Sequence, residues 1–190
     1  MLSTKPAPRQ AVPYDTASIT FHWLTVALVL ALFTLATFPG IVKGSIALHK
    51  ALGFTVFALV VLRIVWRLTL GRKRQPDPSE PMLLHLGAKA AHVALYALLL
   101  SAPVLGWLYL EAKAIDVHPF GLQALEMPSV LYYDRELAMA IYGWKQVVVY
   151  SLLGLIVVHA IAAISYHSVI RKDGVLNAML PRRWRRDAEI

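Results

Sequence analysis

The hydrophobic positions of this chain are gathered into long blocks rather than spread at amphipathic spacing. They occupy about residues 19–38, 46–70, 90–110 and 142–170. Each block matches or exceeds the ~20 residues that carry an α-helix across ~30 Å of hydrocarbon. Turn signals and charges separate them: Pro39-Gly40 after the first, Gly71 and a basic run after the second, and a long mixed connection, residues 111–140, before the fourth. In lipid, only helices and closed barrels satisfy their own backbone polar groups, and blocks of this length suit helices. The pattern therefore predicts an all-α, integral membrane four-helix bundle forming a single domain over residues 1–190. Gln75-Pro76-Asp77-Pro78-Ser79-Glu80-Pro81 reads as a proline-punctuated loop, not a domain boundary.

Composition supports this reading. Hydrophobic residues make up 58% of the chain, charged residues 16%, and mean hydropathy is +0.58. With no cysteine, disulfides, thiolate haem ligation, Cys-ligated iron–sulfur clusters and C-x-x-C-H haem attachment are all excluded. The net charge of +8 does not point to nucleic acid. Its clusters, Arg72-Lys73-Arg74, Arg171-Lys172 and Arg182, Arg183, Arg185 and Arg186, each follow the end of an apolar block. That is the arrangement of cytoplasmic loops, with attraction to anionic membrane lipid. The connection from Glu111 to Ala140 instead sets Lys113 and Arg135 against Glu111, Asp116, Glu126, Asp134 and Glu136. Both termini are expected to be cytoplasmic and this connection to face outward. A cleaved signal peptide is not expected, because the first block starts late, is long, and contains His22.

Ionisable groups at membrane depth are costly and mark function by default. Here they are His22, His49, His159 and Lys145, joined by Arg63. Residues fourteen apart on a helix nearly share a face and lie ~21 Å apart along the axis. His49 and Arg63 have that spacing on the second span, and Lys145 and His159 have it on the fourth. With both termini inside, His22, His159 and Arg63 share an inner layer, and His49 and Lys145 an outer one. Two imidazoles at one depth suit the axial ligands of haem b, so His22 and His159 are the expected iron ligands of the inner site. Arg63 would neutralise a haem propionate. His49 is the expected iron ligand of an outer site, against the simpler reading of a histidine satisfied by interfacial water.

Other residues carry weaker signals. His85 and His92, seven apart, share a face at the inner start of the third span. A quinone or propionate contact competes there with a wet interfacial pair; the second reading suits His85, and His92 is open. His167 reads as interfacial. Trp23, Trp66, Trp107 and Trp144 fall near span ends as an aromatic belt would, and Trp184 lies in the basic tail. No span holds a close carboxylate pair, which argues against an ion pump. The long outer connection would cap the outer layer and admit a partner or substrate.

These pieces together resemble the prokaryotic cytochrome b561 family. The resemblance rests on Phe21-His22-Trp23, Leu48-His49-Lys50 with Gly53, Arg63 with Trp66-Arg67, Ala91-His92 with Leu95-Tyr96, and Pro103 with Gly106-Trp107. It continues through Phe120-Gly121-Leu122, His159, and Asp173-Gly174-Val175-Leu176 leading to Met179-Leu180-Pro181. It implies a bundle with two b haems in the bacterial inner membrane, passing electrons between ubiquinone or a similar quinone and a periplasmic or membrane redox partner. At least one such protein is a superoxide oxidase. One departure stands out: the family has a second histidine fourteen residues before the His159 equivalent, and this chain has Lys145. Lys145 could replace that ligand as a neutral amine, His118 could fold in from the outer connection, or the outer haem could be five-coordinate or absent. The alternatives are a cytochrome b anchoring subunit of a hydrogenase or dehydrogenase and, in a different class, a non-redox transporter or assembly subunit.

Overall fold

The computed structural model describes residues 15–71, 81–122, 124–125 and 127–165. Three basic clusters (residues 72–74, 171–172 and 182–186), His167, Trp184, Glu126, most of the proline-punctuated loop and the tail residues of the family resemblance lie outside the described residues. Four helices make up the bundle: α1 (Thr16–Thr37), α2 (Ser45–Thr69), α3 (Met82–Glu111) and α4 (Arg135–Ile164). A 3₁₀ turn, Pro119–Gly121, interrupts the connection between α3 and α4, and the described residues contain no strand. All four helices are long and apolar enough to cross a membrane. The chain is an all-α membrane bundle.

Local chemistry sets the helix ends. Asp15 caps α1, its carboxylate accepting from the Ser18 N–H and hydroxyl at 2.8 Å each. Gly44 starts α2 at φ 79°, a left-handed conformation that favours glycine. Asp134 caps α4 by accepting from the Leu137 N–H at 3.0 Å. α3 and α4 begin seven or eight residues before their apolar blocks, at Met82 and Arg135, and the connection is correspondingly shorter than residues 111–140. Hydropathy marks hydrocarbon depth, whereas α4 starts at its Asp134 cap and α3 directly after Pro81. Inside the spans, the hydroxyls of Thr25, Thr34, Thr55 and Ser101 donate to the carbonyl one turn earlier, so none is left unpaired in an apolar medium.

Packing follows the hairpins. α1 packs closely on α2, α3 on α4, and α2 on α3. The two hairpins meet chiefly through α2 and α3. Val56, Val60, Leu99 and Leu152 form the buried core at mid-depth. Leu30, Leu62, Val93 and Val158 are each more than half exposed, an apolar outer surface suited to lipid. The connection folds back on the bundle: its 3₁₀ turn packs against α2, with the Phe120 and Phe54 ring centroids 6.2 Å apart. Val117 is buried, Glu111 accepts from the Val130 N–H at 3.3 Å, and the Asp134 N–H donates to the Ala112 carbonyl at 2.9 Å.

Candidate cofactor site

Helix periodicity puts two polar layers on either side of the apolar core. Val56 is seven residues from both His49 and Arg63, and Leu152 is seven from both Lys145 and His159. Seven residues is close to two helical turns, so each core residue lies on the face that carries both polar groups, midway between them. The layers are therefore ~21 Å apart along the helices, with Val56 and Leu152 between.

The first layer lies near the start of α1, the end of α2, the early part of α3 and the end of α4. His22, Arg63, His92 and His159 come from four different helices, yet they are close enough to act on one another electrostatically. Arg63 Nη2 lies 3.3 Å from His22 Nδ1, and its guanidinium carbon sits 5.4 Å from the Tyr96 ring centroid. The His92 and His159 rings meet edge to face with centroids 5.3 Å apart. His85, seven residues before His92, is exposed. The layer is tied down from outside: Trp66 Nε1 donates to Asp15 Oδ1 at 3.0 Å, and Phe21 packs edge-on to Trp66 at 6.4 Å. Depth accounts for Trp66 as a belt residue, but the hydrogen bond also makes it a clasp between the start of α1 and the end of α2.

The second layer lies at the opposite end, under the connection. His49 on α2 and Lys145 on α4 are close enough to interact electrostatically. Lys145 runs along Gly106 of α3, where an added methyl would already touch its Cε and Nζ at 3.9 Å. His49 Nδ1, Trp107 Nε1 and His118 Nδ1 are buried without a hydrogen-bond partner. All three belong to this end: the start of α2, the end of α3, and the connection. Buried polar groups are ordinarily paired, so such a cluster marks a place where a further group fits. Trp107 is thus not a simple belt residue, because its N–H points into protein. Trp144, by contrast, is 67% exposed, as a lipid-facing residue would be.

The donor set is nitrogen-rich and acid-poor. No cluster of three or more His, Cys, Asp or Glu able to hold a bare metal ion occurs among the described residues. Single imidazoles placed on separate helices suit a metal whose other ligands come from a macrocycle.

The prokaryotic cytochrome b561 family model matches residues 13–182. The chain belongs to the prokaryotic cytochrome b561 family. Cytochrome b561 homolog 2 of Escherichia coli (strain K12) is 30% identical over 177 residues, spanning 88% of this chain and 90% of that protein. Probable superoxide oxidase CybB of Yersinia pestis is 26% identical over 180 residues, spanning 90% and 97%. Family membership makes this a haem-b-binding, multi-pass protein of the bacterial inner membrane that transfers electrons in quinone-linked chemistry. The nitrogen donors fit that cofactor, and the orphaned atoms at the second layer fit a group with polar edges.

Sequence reasoning brought out the histidines and Arg63 but missed the surrounding contacts. Tyr96 as the ring beneath Arg63 had a faint signal in its four-residue spacing from His92. The Asp15–Trp66 bond, spanning 51 residues, had none.

Proposed function

We propose that this protein carries electrons across the membrane through two b haems, one held by His22 and His159 and one by His49. Both sites lie between α4 and the α1–α2 hairpin. The observation that carries this reading is the pairing of nitrogen donors from separate helices at two depths: His22 with His159 at one, and His49 with Lys145 at the other, with Val56 and Leu152 between. The haem iron supplies one-electron chemistry by alternating between ferric and ferrous states. Arg63 and His92 line the first site, and the apolar residues Val56 and Leu152 separate it from the second.

His22 and Arg63 are linked by a tautomer. A guanidinium only donates, so the 3.3 Å contact makes His22 Nδ1 the acceptor and leaves the ring proton on Nε2. Ligation through Nε2 needs the opposite tautomer. Were His22 to hold haem through Nε2, Arg63 would give up this contact and its charge would be available to a propionate.

The positive-inside pattern supports cytoplasmic termini, with the connection between α3 and α4 facing outward over the His49 layer. A quinone exchanging at one end and a second redox partner at the other complete the path. Superoxide is the first donor to test, because one relative is named a probable superoxide oxidase. The decisive experiment is haem stoichiometry by the pyridine haemochromogen assay on detergent-purified protein, with a reduced-minus-oxidised spectrum. Two b haems per chain support the reading. One haem would remove the transmembrane relay within a single chain, and a colourless protein with a full haem supply would overturn the reading altogether.

A further inference from the structure

We infer that the second haem is ligated on its two faces by unlike nitrogens, the imidazole of His49 and the side-chain amine of Lys145. The inference rests on the two-haem reading above and concerns what stands opposite His49.

Three observations lead to it. Lys145 is fourteen residues before His159 on α4, so it lies on the same helix face, two turns beyond Leu152 on the other side of the core. It has no hydrogen bond or ion pair among the described residues, and no carboxylate there is close enough to act on it. It shares its depth with His49 and is close enough to act on it electrostatically, and His49 Nδ1 is itself buried and unpartnered. An ammonium in hydrocarbon beside an imidazole, with no counter-charge, is costly. A neutral amine at the same place is a strong Lewis base. Two nitrogen donors at one depth on α2 and α4, neither with an acid among the described residues to answer it, are complementary to a Lewis-acidic iron between them.

Gly106 belongs to this arrangement. The Lys145 Cε and Nζ lie against Gly106 of α3, where an added methyl would sit in ordinary van der Waals contact with them at 3.9 Å.

The test uses the full-length protein in detergent, reading ferric EPR and near-infrared magnetic circular dichroism together with carbon monoxide binding by the ferrous form. The His22–His159 haem, with bis-imidazole signals, serves as the internal control for folding. In the unmodified protein both haems are six-coordinate and low-spin, with one imidazole–amine signature and no carbon monoxide adduct. Lys145→Arg keeps a long basic side chain but cannot ligate iron, so it opens one haem of the two to carbon monoxide, as does Lys145→Ala. Lys145→His closes it again and converts the second signature to bis-imidazole. A second haem that binds carbon monoxide in the unmodified protein would overturn the inference. So would a Lys145→Arg variant that stays six-coordinate, in which case His118→Ala identifies the substitute ligand. A single haem that depends on His159 also overturns it, while leaving the first site standing. Failure to find any haem would instead sink the two-haem reading itself.

Discussion

The two polar layers of this bundle are built from similar residue types but differ in how completely the protein satisfies them. At the Arg63 layer, four side chains from four helices already contact or act on one another. Arg63 bridges His22 and the Tyr96 face, His92 abuts His159, and the Asp15–Trp66 clasp holds α1 to α2 alongside. At the Lys145 layer, three buried nitrogens have no partner, and no acid among the described residues acts on Lys145 or His49. One end is already tied together by contacts among its own side chains, and the other leaves buried nitrogens unpaired. Satisfied polar networks hold their own geometry, whereas partly satisfied ones depend on the missing group. The Lys145 layer should therefore be the more sensitive to cofactor loss.

The largest expected effect breaks the comparison at its firmer end. His159→Ala should remove the haem of the Arg63 layer and abolish electron transfer through the chain, while the haem at His49 persists. Haem stoichiometry with a reduced-minus-oxidised spectrum measures this, and an unchanged bis-imidazole signal would move the ligand elsewhere. His49→Ala should have the converse effect, removing only the second haem. It should also lower thermal stability more than His159→Ala does, because that end relies on the cofactor. Equal losses of melting temperature would erase the proposed difference between the layers.

A smaller effect probes the charge. Arg63→Leu should lower the reduction potential of the first haem, since a nearby cation favours the ferrous state. For a unit charge ~8 Å away at an effective dielectric of ~20, the interaction is about 2 kcal/mol, or ~90 mV for one electron. Redox titration followed at the His22–His159 signal reads this shift, and a rise in potential would contradict it. Smallest is the clasp. Trp66→Phe keeps the aromatic contact with Phe21 but removes the donor to Asp15, and should cost about 1–2 kcal/mol without changing haem content. A melting curve beside a haem assay separates the two outcomes, and loss of haem would make Trp66 part of the site rather than its fastening.

Much of this architecture was legible in one dimension because a membrane removes options. Apolar block length announced the four helices, and the fourteen-residue spacings of His49 with Arg63 and Lys145 with His159 announced two depths. What escaped is instructive. Trp66 and Trp107 look alike in sequence, aromatic residues near span ends, yet one donates to Asp15 while the other buries an unpartnered N–H. Position along a helix specifies depth, but not which neighbour fills the space beside a ring. The long connection was legible as a cap but not as one whose Pro119–Gly121 turn rests on α2 beside Phe54.

From the sequence alone came the number of helices, their membrane setting, the absence of cysteine chemistry and the axial placement of each ionisable group. These depend only on hydrophobic transfer and on the fixed rise of a helix, which act residue by residue. Only the tertiary structure decided which groups come together: Arg63 with His22 and Tyr96, His92 with His159, and His49 near enough to Lys145 to act on it. Those meetings depend on how each helix is rotated and spaced against its neighbours. Side-chain packing summed over the whole bundle sets that rotation, and no single span encodes it.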